Sequence, residues 1–138
     1  MRFARIVFTC AGVWGLVVLV PLYFGADVIG KLYPPAITHP DFFFGFVGVA
    51  VAWQIAFLLI GRNPVGLHAM MGPAIAEKFI YVFTLTALYG NGSLQFGQFA
   101  VALPDFVIGV LFVTAFFKVQ GTQRVPMSPL DYSGVVGD

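Results

Sequence analysis

Residues 42–61 read FFFGFVGVAVAWQIAFLLIG. The stretch carries no charge and one strongly polar side chain, Gln54. At about 1.5 Å rise per residue, a helix of this length covers the roughly 30 Å hydrocarbon core of a bilayer. Three more stretches have a similar length and are mostly apolar: Ile6–Ala26, Met70–Tyr89 and Phe99–Phe117. All four are continuous apolar runs without strict alternation, which excludes a transmembrane β-barrel. The pieces between them are rich in helix breakers, with Pro34-Pro35 and His39-Pro40, then Asn63-Pro64, then Gly90-Asn91-Gly92. The sequence therefore predicts an all-α protein, a four-helix bundle integral to a membrane.

The composition agrees. Of 138 residues, 59% are hydrophobic and 9% are charged, and the mean hydropathy is +0.93. A soluble domain carries about 25% charged residues. These values exclude an ordinary soluble domain, a disordered chain and a nucleic-acid binder. The N-terminal run Ile6–Ala26 is 21 residues, longer than the about 7–15 of a signal-peptide core. We read it as a retained span.

Lys and Arg set the expected orientation. With the N-terminus inside, the cytoplasmic side holds Arg2, Arg5, Arg62, Lys118 and Arg124, and the outer side holds Lys31. This bias predicts an N-in, C-in topology. Tyr23, Tyr33, Tyr89 and Phe42-Phe43-Phe44 then fall near the outer interface. The short Arg62–Ala69 connection makes the second and third spans expected antiparallel neighbours. Residues 1–119 form the bundle, and 120–138 form a polar cytoplasmic tail with Pro126 and Pro129.

Ionisable residues inside spans are costly and are the first candidates for function. They are Glu77, Lys78 and Asp105, joined by the hydrogen-bonding group Gln54. On the third span Glu77, Tyr81 and Thr84 share one helical face. On the fourth, Gln98, Ala102, Asp105 and Gly109 share another, and Pro104 removes a backbone N–H beside Asp105. Depth counting places Gln54 level with Glu77, and Tyr81 level with Asp105. Side chains lean toward their own helix N-terminus, which sends Lys78 and Asp105 opposite ways. The expected contacts are therefore Gln54–Glu77 and Tyr81–Asp105. Lys78 is expected to pair near Glu77 or to snorkel to the headgroups. The second span also carries a small-residue stripe, Gly45, Gly48, Ala52 and Ala56, suited to helix packing.

Other chemistry is not proposed by the sequence. The single cysteine, Cys10, excludes an intramolecular disulfide. His39 and His68 fall at opposite membrane edges and cannot clasp one haem within the chain. No metal site, HExxH motif, phosphate-binding glycine loop or nucleophile elbow is present. No cofactor is indicated.

In size, in its four spans, in the Gly25–Leu32 segment with Lys31, and in the Gly61-Arg62-Asn63-Pro64 end of the second span, the chain resembles small DoxX-like membrane proteins of bacteria. The resemblance implies a small subunit of the bacterial cytoplasmic membrane, in some cases linked to quinone-dependent redox enzymes. Such proteins often carry an acidic residue where this chain has Gln54. Two functional classes follow. The first is a subunit or accessory protein of a membrane complex, with a membrane-protein partner or a second copy. The alternative is a binding bundle or enzyme for a lipophilic molecule, quinone-like or isoprenoid-like, using Gln54, Glu77, Lys78, Tyr81, Thr84 and Asp105.

Overall fold

The first helix, α1, runs from Arg2 to Leu19, its sequence free of charge after Arg5. Pro21 cannot donate its backbone nitrogen, and the chain tightens into a 3-10 turn over Val20–Tyr23. A short helix, α2, spans Ala26–Leu32, with Asp27 in its first turn and Lys31 in its last. Both charges suit the helix dipole. The structure, a computed structural model, describes residues 1–32 and 36–123. Pro34-Pro35, Tyr33, Arg124 and most of the expected tail lie outside the described residues.

The second long helix, α3, runs Pro40–Arg62. Its entry follows from local chemistry. His39 occupies the cap position, Pro40 sits where a missing N–H costs nothing, and Asp41 faces the positive end of the dipole. The next, α4, runs His68–Gly90. It ends where Gly92 takes a φ of +79°, which lets the Ser93 N–H reach back 2.9 Å to the Leu88 carbonyl. The last span is broken. A short α5, Phe96–Ala100, is separated at Val101 from α6, Ala102–Gln123. Pro104 explains the break: it cannot donate to the Ala100 carbonyl, but it is tolerated in the first turn of a new helix. Helix α6 continues past the expected end of the span at Phe117, into the segment assigned to the tail.

Among the described residues there is no strand, and four helical stretches are long and apolar enough to cross a membrane. They are Arg2–Tyr23, Pro40–Arg62, His68–Gly90 and Phe96–Thr122. Consecutive spans pair most extensively, α1 with α3 and α4 with α6. The two pairs join mainly through α1 and α6. The expected neighbours α3 and α4 touch only lightly, despite their short loop. The loop fixes their ends, but the close-packing residues lie on other faces.

Those faces are set by glycine. A Cβ on Gly61 of α3 would lie 2.5 Å from Thr9 Oγ1 and 3.0 Å from the Thr9 backbone nitrogen. One on Gly12 of α1 would lie 2.8 Å from Leu58. The missing side chains let α1 and α3 approach closely. By contrast, Gly45 and Ala52 of the small-residue stripe are exposed, with nothing within 4 Å of a Cβ on Gly45. Gly48 and Ala56 are half-buried, and Gly48 lies by the Tyr23 hydroxyl.

The core lies toward the end of the bundle that holds the N-terminus. Phe8, Phe57 and Phe112 meet there, fully buried. Phe8 stacks on Phe112 with centroids 4.0 Å apart, and Phe57 meets Phe112 edge-on at 4.9 Å. At the same end His68 stacks on Phe116, its Nε2 3.2 Å from the Phe116 carbonyl. Tyr23, Phe42–Phe44 and Tyr89 gather at the far end, as their positions on the spans require.

Candidate membrane-embedded polar site

Lys78 is near the middle of α4, about 15 Å along the helix from His68. It lies on the α6-facing side with Met71 and Ala74, and its side chain is only 7% exposed. Its Nζ lies 2.8 Å from Asp105 Oδ1 on α6 and 3.3 Å from Glu77 Oε2. It also sits 5.2 Å from the centre of the Phe57 ring on α3. One cation thus ties three helices, through two carboxylates and an aromatic face.

The Lys78–Asp105 pair overturns the expectation from side-chain lean. Gly109 supplies the reason. A Cβ there would sit 3.3 Å from Lys78 Cβ, so α6 passes close to the root of this lysine. Asp105 is one turn away on the same face of α6, and the four-carbon lysine stem spans the remaining gap. Snorkelling of Lys78 is overturned too, because its ammonium is turned inward. The Lys78–Glu77 proximity agrees with the expected local pairing. Glu77 Oε2 is itself covered and has no partner beside this ion pair.

The other expected contacts are absent. Gln54 is buried against α1, not α4. Its Nε2 donates to the Ala50 carbonyl at 3.0 Å, and its amide oxygen occupies the space left by Gly15. The expected face is not the one observed, because α3 turns Gln54 toward the close α1 contact. No hydrogen bond joins Tyr81 to Asp105. The Tyr81 ring instead stacks on Phe46 of α3, centroids 6.1 Å apart. Thr84 is exposed and returns its hydroxyl to the Ile80 carbonyl at 2.8 Å. Of the six candidates, the structure brings Glu77, Lys78 and Asp105 together, sets Tyr81 one turn beyond Glu77, and leaves Gln54 and Thr84 apart.

Phe57 carries no signal in the sequence, being one phenylalanine among sixteen. The helical period puts Gly109 on the face of Asp105 and says nothing of its contact with Lys78. The glutamate and aspartate side chains keep 22% and 24% of their exposure. The trio can therefore hold helices together while still offering carboxylate oxygens to a hydrogen-bond donor. Among the described residues no cluster of His, Cys, Asp and Glu could hold a metal ion.

The fold and this site define an all-helical protein whose four apolar helices are compatible with a small membrane protein. No protein-family model matches the chain, and no curated protein or solved structure matches it.

Proposed function

We propose that the chain is an integral membrane bundle that binds a lipophilic molecule by its polar head. Glu77 and Asp105 accept hydrogen bonds or a proton from that head, and Tyr81 orients it. The observation that carries this reading is a buried lysine bearing two partly exposed carboxylates at mid-bundle, beside the lightly packed α3–α4 seam. Ionic groups at this depth are rare without function, and these two carboxylates keep part of their surface open to a ligand. A photoreactive isoprenoid or quinone analogue, added to the protein in proteoliposomes, tests it. Labelling of α4 or α6 that drops in Glu77→Gln and Tyr81→Phe is expected. Equal labelling of parent and variants, all of them monodisperse and helical, would overturn it.

A second reading is a subunit or accessory protein of a membrane complex. It is favoured by Gly45 and Ala52, which face outward with open space at Gly45. Small residues let a further helix approach. Native mass measurement in mild detergent tests this, and a solitary chain from its own membrane counts against it. The DoxX-like resemblance and a bacterial cytoplasmic membrane belong to the same reading. The topology we propose has both termini cytoplasmic, and reporter fusions at each end test it.

A further inference from the structure

At the end opposite the phenylalanine core, the 3-10 turn, α2 and the start of α3 border an open cavity of about 530 Å³. Its wall includes Tyr23, Asp27, Gly30, Lys31, Pro40 and Phe44. Small-molecule sites fall at about 300–1,000 Å³. Tyr23 and Phe44 stack with centroids 6.0 Å apart and give one aromatic side.

Asp27 and Lys31 are four residues apart on α2, a spacing at which an acid and a base pair on a helix surface. Here they do not. Among the described residues the ion pairs are those of Lys78, and neither Asp27 nor Lys31 has a hydrogen-bond or ionic partner. Both charges line the cavity instead. Beside them Phe24, Val28 and Leu32 recur every four residues and are 89%, 57% and 66% exposed. That apolar edge at the mouth of a membrane-spanning bundle is suited to acyl chains, as in helices lying in an interface.

We infer that this cavity binds the phosphoethanolamine headgroup of a membrane lipid. Lys31 holds the phosphate, Asp27 holds the primary ammonium, and the acyl chains descend past Phe24 and Val28. Cβ atoms one helical turn apart are about 5–6 Å from each other, a separation that suits the two-carbon link between the headgroup charges. An anionic headgroup without the amine leaves Asp27 facing like charge. A choline headgroup has no N–H to donate to it. The inference is independent of the site at Lys78.

The test is native mass spectrometry of the full chain in mild detergent, with equimolar dioleoyl phosphatidylethanolamine, phosphatidylcholine and phosphatidylglycerol. One phosphatidylethanolamine per chain is expected, retained about tenfold over the others, the effect of one charge-assisted hydrogen bond. Asp27→Asn removes the preference for the amine headgroup. Lys31→Gln lowers retention of phosphatidylethanolamine and phosphatidylglycerol together. Both side chains are exposed, so the fold survives, and unchanged circular dichroism confirms it. Thr122→Val, exposed on α6 at the opposite end of the bundle, leaves lipid retention as in the parent. Equal retention of the three lipids, or a preference unchanged in both variants, would overturn the inference. So would complete displacement of the lipid by millimolar soluble phosphoethanolamine, which assigns the cavity to the free compound.

Discussion

Replacing Lys78 with methionine keeps the length of the side chain and removes its charge. Asp105 then loses a partner at 2.8 Å, and Glu77 loses one at 3.3 Å. Two carboxylates, about three-quarters buried, are left facing each other without a cation. Breaking a buried ion pair from one side costs about 3–5 kcal/mol. Residual exposure of both acids favours the lower value, about 3 kcal/mol, which is more than a hundredfold in the folding equilibrium. A second change, Asp105→Leu, removes the orphaned charge beside Gly109. The double variant should recover about 2 kcal/mol of that loss, because a buried pair and an apolar replacement are often close in stability. The assay is reversible unfolding in mixed micelles, followed by circular dichroism, for the parent, both single variants and the double variant. A Lys78→Met protein within about 0.5 kcal/mol of the parent, or a double variant no better than the single one, refutes the claim that this cation ties α4 to α6.

Gly61→Ala should destabilise by about 1–3 kcal/mol in the same assay, since its methyl group meets Thr9 backbone as well as the Thr9 side chain. A neutral result would disprove the close α1–α3 approach. Phe112→Ala should cost about 3–5 kcal/mol, because its ring is fully buried between Phe8 and Phe57. Phe106→Ala, at a position 48% exposed, serves as the control and should cost far less. Gly92→Ala should cost about 1 kcal/mol by strain at the positive φ, seen as a lower unfolding midpoint with no change in helix content.

The spans were legible because hydrocarbon thickness imposes a length, and unbroken apolar runs of that length have few other uses. Helix entry at Pro40 was legible for the same kind of local reason, with His39, Pro40 and Asp41 in order. Which polar residues meet was less so. Depth along a helix can be counted, but rotation about its axis depends on where two backbones come closest. That was decided by glycines whose role is invisible without a partner. Gly15 took Gln54 away from Glu77, and Gly109 delivered Lys78 to Asp105. The cavity beside Asp27 and Lys31 was hidden for a related reason. It depends on where α2 lies beside the 3-10 turn and the start of α3, and a seven-residue helix in a turn-rich connection gives no sign of that.

Pairing of consecutive spans also bears on how the protein is made. α1 and α3 form one antiparallel hairpin, and α4 with α5 and α6 forms the next. The first hairpin holds no Asp, Glu, Lys or Arg between Ile6 and Ala26 or between Phe42 and Gly61, so each of its helices can enter the bilayer on its own. All three mid-membrane charges belong to the second hairpin, which carries its own counterions. Lys78 and Asp105 can therefore meet while the last helix is still leaving the insertion machinery. A truncation that ends synthesis after Gly90 would leave Lys78 without Asp105, and that nascent chain should be the one most exposed to membrane quality control.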